Sequence, residues 1–298
     1  MTGRMRSWLF VPGDSDRKAD KAASSGADIL IFDLEDSVAA SQKDLARKMV
    51  ADRITNAGRD WSLWVRVNPL DGGLTFNDLD AVIRPGLAGI LLPKPEGGPD
   101  VARLADAIAS REVAAGITPG TIRIAPVATE TATALFNLSS YVPAHPRLAA
   151  LTWGAEDLAA DIGAATNRGD DGDFTAPYKL VRNLALFAAA AARVPAIDTL
   201  HADFRDIEGL ERECRTSRRD GFVGRLAIHP AQVEVINRCY TPSEAEIMWA
   251  QRIVDAFAAN PDAGALGLDG KMIDLPHLVA ARKTLAAAAD QLKKYSAS

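Results

Sequence analysis

Six apolar runs in this chain stop abruptly at a charged or hydrogen-bonding residue. Residues 29–32 run into Asp33, Glu35 and Asp36, 63–65 into Arg66, 90–93 into Lys94, 124–128 into Glu130, 148–153 into Glu156 and Asp157, and 226–228 into His229. Parallel strands buried on both faces read as continuous Val/Ile/Leu runs rather than as alternating ones. With two further runs, this pattern predicts eight strands, near 7–11, 28–34, 62–67, 88–93, 123–128, 148–154, 193–199 and 224–228. Helical periodicity fills most of the gaps, as in 41–57 and 178–192, and 100–114 carries Val101, Leu104, Ala105 and Ile108 on one face. Eight β-then-helix units predict an α/β fold closed into a (β/α)8 barrel, with the charged strand ends gathered at one mouth.

Beyond the eighth strand the pattern changes. Pro242-Ser243 opens a helix through Ala259, a Gly/Asp/Pro-rich stretch over 260–270 reads as loop, and a last helix spans 275–292. The expected division is a barrel over 1–240 and a helical C-terminal extension over 241–298. At the start of that last helix, Asp274 has the position of an N-cap.

Composition narrows the function. A chain of 298 residues, 48% hydrophobic and 24% charged, can bury one large core. A net charge of -5 offers no broad attraction to nucleic acid or an anionic membrane, which points to small-molecule chemistry. No run approaches the roughly 20 apolar residues of a membrane span, and the N-terminus lacks a signal-peptide core, so the cytoplasm is the expected compartment. Cys214 and Cys239 have no CxxC spacing and suggest neither a disulfide framework nor a thiolate zinc site.

Glu130 and Asp157 follow adjacent predicted strands. Hard oxygen donors with no nearby Cys or His suit Mg²⁺, which takes one or two carboxylates and keeps several waters. Each carboxylate could instead cap the helix after its strand, and Asp157 taken alone fits either role. Paired carboxylates also serve glycosidases on barrels, but an aromatic content of 6% is thin for a sugar cleft. Arg66, inside the apolar Trp64-Val65-Arg66-Val67, needs an anion: a substrate oxygen, or a structural bridge to Glu35, Asp36 or Glu130. Lys94 could attack a carbonyl if its pKa were lowered; the surrounding carboxylates favour a charged partner to them instead. Glu35 and Asp36 belong to a cluster with Asp33 too dense for one cation, so part of it is expected to act from behind the ligands. Arg17, Lys18 and Lys21 near the first helix start could bind phosphate or simply form a solvated face.

The strings Ser7-Trp8-Leu9-Phe10-Val11-Pro12-Gly13, Phe32-Asp33-Leu34-Glu35-Asp36-Ser37-Val38, Val65-Arg66-Val67-Asn68, Leu92-Pro93-Lys94, Ala155-Glu156-Asp157-Leu158 and Ala227-Ile228-His229-Pro230 together resemble the citrate lyase β-subunit-like proteins of the HpcH/HpaI aldolase family. The resemblance spans nearly the whole chain in order. It implies a TIM barrel that binds Mg²⁺ and cleaves or forms a carbon–carbon bond in a small hydroxyacyl-CoA of malyl-CoA, citramalyl-CoA or citryl type, giving an acyl-CoA and a keto acid. Malyl-CoA thioesterases, and β subunits that depend on an acyl carrier protein, are the alternatives within it. It makes Glu130 and Asp157 the metal ligands and Arg66 the holder of the keto-acid or enolate oxygen, and it puts Phe10, Lys18, Ile228 and His229 against substrate or coenzyme A. It also implies a homotrimer in which Asp274 serves a neighbouring subunit's mouth as an acid or base. Phe10 departs from the tyrosine that several relatives carry.

Overall fold

The structure, a computed structural model, describes residues 4–56 and 62–295, with side chains to 289. Two compact units make up the chain, Met5–Asn237 and a second beginning at Arg238. In the first, eight strands form one parallel sheet: β1 (Ser7–Pro12), β2 (Ile29–Asp33), β3 (Ser62–Arg66), β4 (Leu87–Leu92), β5 (Arg123–Pro126), β6 (Leu151–Thr152), β7 (Ala196–Asp198) and β8 (Gly224–Ala227). The hydrogen-bonded order β5-β4-β3-β2-β1-β8-β7-β6 closes into a ring through bridges from Ile124 to Leu148 and from Val127 to Thr152. Each predicted strand is present, and the fold is the expected (β/α)8 barrel.

The predicted helices are present as Lys43–Asn56, Gly98–Ala114 and Ala176–Ala191; residue 57, the expected end of the first, lies outside the described residues. They form because their apolar positions recur with helical spacing and face the sheet, as with Val101, Leu104, Ala105 and Ile108, all buried.

The barrel's lower interior is apolar and its mouth is not. Trp8, Ile29, Ile31, Trp64, Leu91, Ala125, Ile197 and Leu226 pack into one cluster, with the Trp8 and Trp64 rings 4.9 Å apart. Each indole N–H finds an oxygen, the Met5 carbonyl for Trp8 and Ser62 Oγ for Trp64, so the rings are buried without an orphan donor. Gly89 on β4 makes room: a Cβ there would stand 2.5 Å from the Trp64 ring.

Beside that floor lies an ion pair that sequence reading missed. Glu112, fully buried on helix Gly98–Ala114, accepts from Arg147 Nη1 and Nη2 at 2.9 and 2.6 Å and from the Gly120 and Ile122 amides at 2.9 and 2.7 Å. It thereby ties the helix to the chain just ahead of β5 and β6. Burial works against its charge, yet Arg147 and the two amides hold its carboxyl below the usual carboxylate range.

The second unit corrects one expectation. Ser243 caps the predicted helix, Glu244–Ala259, in a box with Glu246, and the last helix runs Leu275–Tyr295. The stretch read as loop contains a hairpin instead, β9 (Ala265–Leu268) against β10 (Lys271–Asp274). Its two-residue turn is Asp269-Gly270, both at positive φ, 50° and 73°, and Arg252 clasps the Asp269 carboxylate with two 2.6 Å bonds. Ile273 from the hairpin buries against Ile253, Phe257 and Leu278. Both cysteines are buried, and among the described residues no helix is long and apolar enough to cross a membrane.

Replacing Glu112 by Gln is expected to lower the unfolding free energy by about 3–5 kcal/mol, because it strands the buried Arg147 charge. Since the Glu112 pKa is depressed in the fold, its contribution is present at neutral pH and lost as pH falls through the acid range; urea midpoints for parent and variant should therefore converge toward acid pH.

Candidate active site at the barrel mouth

The mouth is built from the last residues of β2 and β3 upward. Parallel pairing sets Asp33 beside Arg66, and the guanidinium grips the carboxylate at two points, Nε to Oδ1 and Nη2 to Oδ2, both 2.7 Å. Asp33 also accepts from the Glu35 and Ser37 amides at 2.9 and 3.0 Å. Burial opposes the Asp33 charge, but Arg66 and these amides together keep its carboxyl below the ordinary value. The same Arg66 has Nη1 2.9 Å from Glu35 Oε2, short of hydrogen-bond alignment, and lies over the Phe10 ring at 4.9 Å. Of the partners expected for Arg66, Glu35 is at ion-pair distance and Asp36 is 3.8 Å away, while Asp33 takes the closest grip.

Lys94, just past β4, works from both ends. Its backbone is left-handed, φ 49°, uncommon for a residue with a side chain, and its amide donates to Glu130 Oε2 at 2.5 Å. Its ammonium donates to Glu35 Oε1 at 2.6 Å and stands 3.2 Å from Asp157 and 3.6 Å from Asp36. Burial disfavours that charge, but Glu35, Glu130 and Asp157 outweigh burial and hold the amine firmly protonated, which removes it as a carbonyl nucleophile.

Glu130 is strongly perturbed. Burial pushes it up to about 8, helped by the charges of Asp157 and Glu35 and opposed by the Lys94 amide and ammonium. Glu35 is raised too, by burial first. Five carboxylates, Asp33, Glu35, Asp36, Glu130 and Asp157, thus surround two cations, Arg66 and Lys94. The arrangement is short of positive charge.

Neither Glu130 nor Asp157 caps a helix. Thr131 caps helix Ala132–Phe136, and helix Glu156–Asp161 begins after Ala155 with no side-chain cap. Both carboxylates line a cavity of about 220 Å³ together with Arg66, Phe10, Trp153 and Ile228. Gly154 lets the chain pass close: a Cβ there would lie 2.9 Å from Glu130 Cγ. Among the described residues no group of three or more His, Cys, Asp or Glu side chains is arranged to hold a metal ion, so a cation here would rest on Glu130 and Asp157 and on waters.

Other anticipated residues are placed differently. Asp36 is 60% exposed at the edge of the cluster. Lys18 is exposed on helix Asp16–Ala23 and does not line the cavity. His229, two residues past β8, also lies outside the lining; its Nδ1 accepts from the Ala231 amide and its ring stacks on Phe204 at 4.6 Å. Asp274 belongs to the second unit, where its Oδ1 meets His277 Nδ1 at 2.5 Å and accepts from the His277 amide at 3.4 Å. The capping position is therefore filled as expected, and His277 holds the Asp274 carboxyl below its usual range. Sequence reading missed how the acidic loop is pinned. Lys43 donates to the Leu34 and Glu35 carbonyls and to Asn68 Oδ1, at 2.6, 2.7 and 2.9 Å, and Asn68 bonds the buried Asp78. A lysine ten residues past an acidic strand end gave no pattern to find it by.

A family profile described as HpcH/HpaI aldolase/citrate lyase matches residues 6–230. The chain belongs to that family. A second profile, a C–C bond lyase of the TIM-barrel fold, matches residues 178–290. Among curated relatives of this HpcH/HpaI protein, a (3S)-malyl-CoA thioesterase of Cereibacter sphaeroides is 36% identical over 95% of this chain and 94% of its own. The citrate lyase subunit beta of Escherichia coli is 34% identical over 96% and 94%. The crystal structure of CitE from Mycobacterium tuberculosis, in complex with magnesium, acetoacetate and coenzyme A, superimposes with a TM-score of 0.78 at 32% identity, covering 97% of this chain and all of the other. The family is thus one of enzymes of the citrate lyase β-subunit type, with lyase and thioesterase names among its members.

A carboxyl whose pKa is raised by folding, as Glu130's is from 4.5 to about 8, contributes stability at acid pH that is lost as pH rises through the folded value. Without added metal ions, the melting temperature of the parent is expected to fall between pH 6 and pH 9. Glu130→Gln should flatten that fall, and equal slopes for the two proteins would refute the assignment.

Proposed function

We propose that this chain is a Mg²⁺-dependent carbon–carbon lyase acting on a small β-hydroxyacyl-CoA thioester and releasing an acyl-CoA and a keto acid. What carries the reading is one arrangement: two carboxylates free of capping duty, Glu130 and Asp157, line the same cavity as Arg66 in a cluster short of positive charge. Hard oxygen donors with room for waters suit Mg²⁺, and the Mycobacterium tuberculosis neighbour is complexed with magnesium, acetoacetate and coenzyme A.

Glu130 and Asp157 would hold the ion, which when bound supplies Lewis-acid polarisation of the substrate hydroxyl and carboxylate. The chain's own groups do the rest. Arg66, fixed in orientation by Asp33, holds the oxygen that becomes the keto group, a preorganised donor that needs no reorientation as charge develops. The hydroxyl gives up its proton to solvent, the bond from its carbon to the thioester α-carbon breaks with its electron pair moving onto the thioester as an enolate, and the hydroxyl oxygen becomes the keto oxygen. Phe10, Leu226 and Ile228 line the same cavity with apolar side chains, which would limit water at that enolate. Asp274, contributed by a neighbouring copy in a trimer, exchanges the proton at the α-carbon. Its contact with His277 favours the ionised form, which acts as a base in the condensation direction; cleavage uses the protonated form.

Hydrolysis is the second reading, favoured by the thioesterase name of relatives 36% identical to this chain. The two separate by product: malyl-CoA gives glyoxylate and acetyl-CoA by cleavage, free malate and CoA by hydrolysis. A requirement for acyl carrier protein before any turnover would assign the chain instead to a carrier-dependent complex.

Asp157→Ala is expected to lower turnover of malyl-CoA or citramalyl-CoA by about 100-fold or more, the scale on which metal-site changes act. EDTA should abolish the parent's activity and Mg²⁺ restore it. Turnover by the variant at the parent rate, or by the parent in EDTA, would sink the metal assignment.

A further inference from the structure

Lys94 reaches both carboxylates of the proposed metal site, and its two ends do different things. Its amide donates to Glu130 Oε2, an alignment that the left-handed main chain at φ 49° provides. Its ammonium bridges the cluster, 2.6 Å from Glu35 and 3.2 Å from Asp157. Asp157 is 34% exposed, sits in the first turn of its helix without capping it, and has this ammonium as its ion-pair partner. The ammonium therefore occupies the charge position that a cation on Asp157 would take.

Resting on the Mg²⁺ reading above, we propose that Lys94 is a positioning residue that sets metal affinity: its amide orients Glu130, and its ammonium is a resident counter-ion on Asp157 that gives way when the divalent ion binds. Like charges a few ångströms apart in a half-buried site repel strongly, so the ammonium cannot stay against Asp157 while a divalent ion binds there. Glu35 and Asp36 provide its alternative partners, at 2.6 and 3.6 Å, so release from Asp157 needs no long excursion. Two consequences follow. The metal-free mouth is held together by Lys94, and metal binding is weaker than the bare carboxylates would give.

Glycine is the informative substitution, since it accepts the left-handed main chain and so keeps the amide on Glu130 while removing the ammonium. Full-length parent, Lys94→Gly and Lys94→Arg, freed of metal, would be titrated with MgCl₂ by calorimetry at one pH and ionic strength. Lys94→Gly is expected to bind Mg²⁺ about tenfold tighter than the parent, a conservative reading of one removed charge at this range, and Lys94→Arg to bind like the parent. Melting curves supply an independent readout. Metal-free Lys94→Gly should melt below the parent, and saturating Mg²⁺ should raise it by a larger interval than it raises the parent.

A residue that merely buttressed the site would give the opposite sign, with weaker Mg²⁺ binding after its removal. If the parent binds Mg²⁺ and Lys94→Gly binds it equally or more weakly, the counter-ion role is overturned while the functional reading stands. If the parent binds no Mg²⁺ at all, both fall.

Discussion

Two cations shared among five carboxylates are the constraint from which the mouth takes its form. Removing carboxylates from water is costly unless each finds a cation or hydrogen-bond donors. Asp33 is fully provided for: two guanidinium bonds and two backbone amides hold it ionised. That leaves Arg66 only partly available to Glu35, and Lys94 must cover Glu35 and Asp157 at once. Glu130, supplied with one amide and, among the described residues, with no ion pair of its own, is pushed by burial first and by Asp157 and Glu35 next to retain its proton well above the usual range. On the proposed reading, a bound divalent ion supplies the further positive charge.

The apolar floor makes this arrangement affordable in structural terms. Trp8, Trp64 and the aliphatic residues beneath the mouth leave no polar interior for the carboxylates to sink into. Charge is therefore confined to the strand ends, where opposite ends of the ring can converge on one cavity. Local backbone devices set the remaining geometry. Lys94 turns left-handed to present its amide, and Gly154 passes Glu130 with no Cβ in the way. Thr131 takes the capping duty that would otherwise engage Glu130.

The barrel was legible in the sequence because strands covered on both faces must be apolar throughout and must end where water or substrate begins. All eight strands could be placed on that ground, and so could Glu130, Asp157 and Arg66 as residues facing the opening, whereas Phe10 and Ile228 were pointed to by the resemblance to the family. What stayed hidden depends on register. Asp33 holds Arg66 because β2 and β3 pair residue for residue at that level, and nothing in the two strings fixes the offset between them. Glu112 and Arg147 meet across 35 residues at the opposite end of the barrel for the same reason. The hairpin after residue 264 was missed differently: Asp269-Gly270 is a strong turn signal, but β9 is half-exposed and Gly267 interrupts its short apolar stretch.

The cavity's mixed lining bears on which bond of a thioester would break. Arg66 and the carboxylates share it with Phe10, Leu226 and Ile228. On the proposed reading, cleavage needs the charged groups to hold the hydroxyl end and the apolar ones to keep water off the carbon that receives the electron pair. Hydrolysis needs an activated water at the thioester carbonyl, and so a polar group placed to orient it. Phe10 lies against Arg66 and offers a ring face where a tyrosine would offer a hydroxyl. At this position a hydrolytic water finds no side-chain hydroxyl to bond, whereas the proposed cleavage asks for none.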